Sequence, residues 1–390
     1  VPAKTVEEQL AIILSEALNI PRQRAEKLLE SKATRILRYK NIRYIVIRRD
    51  IAGHYEGTTI LLDEQGGYRL IEGYPHIKRI LLLKKALETH FIDKIVVEEK
   101  MDGHNTRIVR FNGELYAITR GGYICPYTTM RFKRKYGEKA NTVFDELGED
   151  TVIAGEVVGL ENPYTRVYYP EAPDWDYFVF DVFTGGLNPL DVEKRRALVE
   201  DAGLRSVPLL GVIDREDYEE LRRILEKLER LGREGVVLKD PYYRVEPLKY
   251  TTSYINVKDI EDGMRFPFDE GHTFIFPRLL RQMFKAYEES WDEQRIEEEA
   301  LRLGRALLVP ALESIRKYSM GEMLGEVFEL TFYSWEDLED FVSHEAMLGV
   351  PLTILGVQEY PGILRARILK HKHTPEHYRR IFRTGLSPLD

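Results

Sequence analysis

Short β-type runs joined by brief links fill the middle of this chain and restrict how it can fold. Between residues 76 and 258 the sequence passes through KIVVEEK, TRIVRF, LYAIT, TVIAGEVVG, DYFVFDVF and EGVVLKD. A parallel pair needs a crossover of about a dozen residues or more, and many of these links are shorter, so the strands must pair mainly antiparallel. Two stretches of helical period, NPLDVEKRRALVEDAG and EDYEELRRILEKLERLG, lie among them. The expectation is an α+β domain built on antiparallel sheet over residues 76–258.

The flanks read differently. Residues 1–75 begin with two amphipathic helices broken at Pro21, then shorten to strand period with GG and EG turns, which predicts a small N-terminal α+β domain. From residue 259 to 320 the texture is helical, and a small C-terminal domain follows over 321–390. Apolar residues recur at Leu279, Leu280, Met283, Phe284 and Tyr287, a stripe that reads as core packing or as a dimer seam. The one cysteine, Cys125, excludes an internal disulfide framework and a cysteine-based zinc site. With neither a secretory leader pattern nor an apolar run of about 18 residues, the expectation is a soluble, cytoplasmic protein. A formal charge of -8 gives no global attraction to nucleic acid, so such a partner must be held by local patches. RFKRKY, Arg131 to Tyr136, reads as one such patch or as a solvated face. HKHTPEH lacks a nearby cysteine and reads as a basic tail able to touch phosphates rather than as a metal site.

The strand pattern ends in chemistry at EEKMDGHN. In an extended chain side chains alternate, so Glu98, Lys100 and Asp102 share one face and Glu99 and Met101 the other. A lysine between two carboxylates needs further cations nearby before its amine becomes a usable nucleophile. Lys239 in EGVVLKD and Lys249 in EPLKY supply candidates. TVIAGEVVG inserts Glu156 into an apolar run, and DYFVFDVF reads with Tyr177, Val179 and Asp181 on one face and Phe180 on the other. Any one of these alone is a strand-end charge or a core aromatic; four strands of one domain doing the same is a pattern.

These residues carry a resemblance. EKMDG resembles the K-x-D-G lysine motif of the covalent nucleotidyltransferases, the superfamily of ATP-dependent ligases and mRNA capping enzymes. AGEVVG, DYFVFDVF, EGVVLKD and EPLKY resemble the later motifs in their expected order. DIEDGMRFPFDEGHTFIF and the helical region extend the likeness to the archaeal homodimeric ATP-dependent RNA ligases over nearly the whole chain. MRFPF follows EPLKY too closely for an intervening OB barrel, which argues against a DNA ligase or an RNA-capping guanylyltransferase.

The resemblance implies an antiparallel-sheet nucleotidyltransferase domain, a homodimer, ATP as substrate, and an RNA partner with 5′-phosphate and 3′-hydroxyl ends. It implies that Lys100 attacks the α-phosphorus to form lysyl-AMP, with Lys239 and Lys249 gripping phosphate and Glu234 holding Mg2+ or Mn2+. Glu98 would read the adenine amino group, Phe180 would stack on the base, and Arg120 and Glu156 would bond the ribose hydroxyls. Asp102 and Gly103 would shape the turn that aims Lys100, with Asn105 also at the nucleotide. An unbroken strand puts Lys239 on the opposite face from Glu234, so which lysine meets the α-phosphate stays open.

Overall fold

The computed structural model describes residues 6–269 and 272–389; Glu270 and Gly271, inside the DIEDGMRFPFDEGHTFIF stretch, lie outside them. The chain divides into two compact units, each made of two segments. The first joins residues up to His76 with Gly103–Ser206, and the second joins Ile77–Asp102 with the chain from Val207 onward.

In the first unit, helices Val6–Ala17 and Arg22–Leu29 turn Leu10, Leu14 and Ala25 onto a four-stranded antiparallel sheet, where they meet Ile45 and Ile60. A second sheet is built on strands His104–Phe111, Glu114–Thr119, Val152–Val158 and Asp176–Thr184. Helix Pro126–Leu147 buries Phe132 against it, with the ring centroid 5.0 Å from that of Tyr177. Arg107 fastens the two sheets together. Only 1% exposed, its guanidinium donates to the carbonyls of Gly57 at 2.9 Å, Thr119 at 2.8 Å and Glu72. A buried charge needs acceptors, and here three backbone carbonyls take its two terminal nitrogens, while Nε is buried without a hydrogen-bond partner. Three of the four basic groups of RFKRKY form ion pairs inside this unit: Arg131 with Glu161, Lys133 with Glu114, and Lys135 with Asp176 at 2.9 Å; Arg134 is exposed.

The second unit holds a five-stranded sheet in the order Leu209–Asp214, Lys94–Lys100, Gly235–Lys239, Leu248–Thr251, Lys78–Arg79. Every pair is antiparallel except the last, which is parallel. Ile95, Val97, Val236, Leu238, Leu248 and Tyr250 form one face, packed on helices Leu83–His90 and Tyr218–Arg230 through Leu87, Leu221, Leu225 and Leu228. The period of two then sends the alternate residues to the opposite face, among them Glu98, Lys100, Lys239 and Lys249.

Beyond the sheet, helices Ser253–Met264, His272–Glu288 and Glu293–Ser319 meet around Val257, Ile260 and Ala306. The expected apolar stripe divides: Leu279 packs on this cluster, whereas Met283 and Tyr287 are 58% and 76% exposed. A three-stranded sheet of Gly325–Phe332, Ile363–His371 and Leu352–Tyr360 follows, with helices Trp335–Met347 and Thr374–Thr384. MRFPF leads into Asp269, whose carboxylate accepts from the backbone amides of His373 at 2.7 Å and Thr374 at 2.8 Å at the start of the last helix. Phe268 stacks on His377 at 4.7 Å, and His371 bonds Thr353 at 2.8 Å. Among the described residues no group of three or more His, Cys, Asp or Glu is placed to hold a metal ion, and no helix is long and apolar enough to cross a membrane.

Candidate active site

In the second unit the strand registers arrange the polar face in rows. Lys100 lies opposite Gly235, which lies opposite Thr251; Glu98 lies opposite Val237, then Lys249, then Arg79. The Lys100 amine is 2.6 Å from the Glu234 carboxylate, with side chains 22% and 13% exposed. Glu98 and Lys239 form an ion pair at 3.0 Å in which both side chains are only 1% exposed. Lys249 is half-buried in the neighbouring strand. Lys100, Glu98, Glu234, Lys239 and Lys249 therefore come together in this unit.

The expected conflict between Glu234 and Lys239 is resolved by Gly235. Glu234 precedes the strand, and the alternation that would separate it from Lys239 is broken at Gly235, which holds φ at +156°. A Cβ there would stand 2.1 Å from the Tyr250 carbonyl oxygen, a distance no side chain can accept. Glycine permits this approach of two backbones. It also leaves the position facing Lys100 without a side chain.

Negative charge crowds this end of the sheet. Burial, followed by the Glu234 carboxylate, pushes the Asp102 carboxyl up to about 7, against the pull of Lys100; Asp259 and Asp262 act in the same direction as Glu234. Hard carboxylate oxygens whose mutual repulsion a cation would relieve suit a hard divalent ion.

The first unit carries the other expected residues. Gly103 passes close under the neighbouring strand, and a Cβ on it would lie 2.0 Å from the Val157 carbonyl oxygen. Asn105 pairs with Glu156 across two strands, its carbonyl accepts from the Arg120 amide at 3.1 Å, and its Oδ1 is buried without a hydrogen-bond partner. The Arg120 guanidinium reaches His76 Nδ1 at 2.9 Å. Between Val179 and Asp181 the register shifts by one residue, so Phe180 is the extra residue of a β-bulge. The strict alternation expected for DYFVFDVF is thereby corrected. Phe178 faces Glu156 and Asp181 faces Ala154, which puts Asp181 on the Glu156 side rather than with Tyr177. The Phe180 ring meets Tyr74 edge-on at 5.3 Å, and the Tyr74 hydroxyl donates to Asp181 at 2.5 Å. Asn105, Arg120, Glu156 and Phe180 are thus neighbours in this unit.

The sequence reading did not find Tyr74, Arg79, Arg278 or Arg281. Tyr74 lies outside every motif, and Arg79 sits in a two-residue strand. Arg278 and Arg281, spaced i and i+3 within the apolar PRLLRQMF, were the available signal: two guanidiniums on one side of a packing helix need a reason.

Comparisons with known proteins show the family and the fold. Residues 93–251 match the model of a family described as RNA ligase, and residues 263–376 match that of the ligase Pab1020 C-terminal region. An uncharacterized protein of Methanocaldococcus jannaschii is 36% identical over 352 residues, covering 89% of this chain and 88% of that protein. The structure of an archaeal ATP-dependent RNA ligase superposes with a TM-score of 0.88 at 35% identity, covering 96% of this chain and 99% of the other. An Aquifex aeolicus protein whose name assigns it provisionally to the ATP-dependent DNA ligases superposes with a TM-score of 0.84 at 27% identity, covering 94% and 100%.

Proposed function

This chain belongs to the RNA ligase family and is an RNA ligase, and on that premise we propose that it joins RNA 5′-phosphate and 3′-hydroxyl ends through a lysyl-AMP intermediate on Lys100, with ATP as the nucleotide. The observation that carries the reading is the Lys100 amine, partly exposed at a strand end, with Glu234 at 2.6 Å and Lys249 on the same sheet face. Lys100 Nζ, once deprotonated, attacks the α-phosphorus and pyrophosphate leaves; AMP then passes to the RNA 5′-phosphate, and the 3′-hydroxyl displaces it. Each step is an in-line displacement at phosphorus, where positioning and charge neutralisation supply the catalysis.

In this reading Lys249 grips the phosphate. Lys239 is closed against Glu98 at 1% exposure and acts as the counter-charge that fixes the Glu98 carboxylate, the proposed reader of the adenine amino group. Glu234, with Asp102 beside it, would hold Mg2+ or Mn2+, which when bound offsets phosphate charge. Asn105, Arg120 and Glu156 serve the ribose side, Phe180 stacks on the base, and Gly103 shapes the turn after Lys100. The segments bounded at 75, 258 and 320 correspond to an N-terminal domain, an adenylation domain, a helical dimerisation domain and a C-terminal domain. Leu301, Leu308 and Leu312, 61%, 73% and 46% exposed on helix Glu293–Ser319, support a homodimer seam.

Mass spectrometry of the protein after incubation with ATP and Mg2+, beside GTP and NAD controls, tests the mechanism. The expected result is AMP on the peptide containing Lys100, released by 5′-phosphorylated RNA and absent in Lys100→Ala. No adduct with any nucleotide would overturn it, and discharge onto nicked DNA in preference to RNA would overturn the acceptor.

A further inference from the structure

Three guanidiniums converge on the side of the second unit's sheet furthest from Lys100. Arg79 comes from the edge strand, and Arg278 and Arg281 come from helix His272–Glu288. Arg278 is neutralised by Asp259 at 2.7 Å. Arg79 and Arg281 are not neutralised in this way: among the described residues Arg79 donates to the Thr251 hydroxyl at 3.0 Å and Arg281 to the Asn256 side-chain oxygen at 3.1 Å, both neutral acceptors. Arg281 Nε is buried with no hydrogen-bond partner. Burial lowers the affinity of both groups for their protons, and for Arg281 the nearby Arg79 and Arg278 add to the effect, to about 10. Glu234 and Asp259 act on both guanidiniums from a distance, but the acceptors in direct contact are the neutral Thr251 and Asn256, and two desolvated cations whose direct acceptors are neutral suit an anion.

The reaction supplies the anion, and the sheet order gives its direction. Lys100, Lys249 and Arg79 stand on the first, third and fourth of four adjacent strands. With strands about 4.8 Å apart and the two residues in rows two residues apart, Lys100 and Arg79 backbones lie roughly 16 Å from each other, a span that two long side chains and a triphosphate fill. In-line displacement requires the leaving group to point away from the attacking amine. With Lys100 attacking from one side and Lys249 beside the α-phosphate, the departing phosphates point toward Arg79 and Arg281. We propose that Arg79 and Arg281, backed by Arg278, form the seat of the β- and γ-phosphates and of the pyrophosphate that leaves. This inference rests on the adenylation reading above, and it makes the helical region part of the first catalytic step.

The test separates the steps on the full-length protein. Arg281→Ala and Arg79→Gln, the latter retaining a hydrogen-bond donor toward Thr251, are each expected to slow Lys100 adenylation at subsaturating ATP by about 10- to 100-fold, the size of a lost charge-assisted contact. The pyrophosphate concentration that discharges half of the purified enzyme–AMP is expected to rise by a similar factor, and Arg281→Lys is expected to fall between, keeping charge without the fork. Sealing of chemically pre-adenylated RNA, which releases no pyrophosphate, stays within about threefold of the unaltered protein because its own phosphates are gripped elsewhere. A variant that discharges normally with pyrophosphate, or that loses pre-adenylated sealing as much as adenylation, would overturn the proposal. Should Arg281→Ala fail to fold, Arg79→Gln alone decides. Absence of adenylation in the unaltered protein would instead overturn the reading on which this one rests.

Discussion

Replacing Lys239 with methionine is expected to cost far more than its lost contact, because it strands a charge. Glu98 and Lys239 are each 1% exposed and 3.0 Å apart, diagonal neighbours on adjacent strands of a sheet whose other face is core. Breaking a buried pair by removing one partner costs about 3–5 kcal/mol, whereas replacing both by apolar groups is often neutral. Lys239→Met is therefore expected to destabilise the second unit by about 4 kcal/mol, which for a unit of this size lowers its Tm by roughly 8–15 °C. Glu98→Met/Lys239→Met is expected to recover at least half of that, although it removes the proposed adenine contact and so does not restore adenylation. The stranded carboxylate adds a second signature: acidification protonates it, so the single variant's deficit shrinks as pH falls while the double variant's does not. Thermal unfolding by circular dichroism across pH 5–8, with urea titration as a check, reads all three quantities. A single variant within about 1 kcal/mol of the unaltered protein, or a double variant no more stable than the single, would refute the reasoning that each buried charge is tolerated only because of the other.

Three further outcomes follow from the structure. Gly235→Ala forces a Cβ to within 2.1 Å of the Tyr250 carbonyl oxygen, so the two strands must part; a loss of about 2–3 kcal/mol and of most adenylation is expected, read by unfolding and by AMP incorporation. Arg107→Met takes a donor from three buried carbonyls, of which those of Gly57 and Thr119 keep the Thr59 hydroxyl at 3.1 Å and the Gly122 amide at 2.9 Å, and the first unit is expected to lose about 2–3 kcal/mol, read by urea unfolding. His344 is 5% exposed, and burial lowers its pKa to about 4. Its native ring is held neutral, so its contribution is fully present above about 6.5 and is lost as pH falls toward 4, up to about 3 kcal/mol. His344→Leu is expected to flatten that part of the acid limb; an unchanged limb in pH-dependent unfolding would refute the assignment.

Residues adjacent in the chain made much of this protein legible. Alternation along KIVVEEK fixed which groups leave the core, and it does put Glu98 and Lys100 on the polar face. Links too short for crossovers fixed the mainly antiparallel sheets. The ordered motifs were enough to identify the family, because a chemistry of phosphorus displacement restricts which residue types can stand at each strand end.

Only the tertiary structure decided the rest, and the reason is the same each time: the deciding contact lies far away in sequence. Period-two reasoning failed at Phe180 and at Glu234, because a bulge and a glycine break the period, and neither break can be read without the partner strand. Lys239 reads in sequence as a cation that grips phosphate; its pairing with Glu98, 141 positions earlier, depends on strand register. Arg79 and Arg281, separated by 202 positions, became one cationic site only when a two-residue edge strand and a helix met beside Thr251 and Asn256. Local sequence fixes which groups a strand or helix can present, and packing fixes what they face.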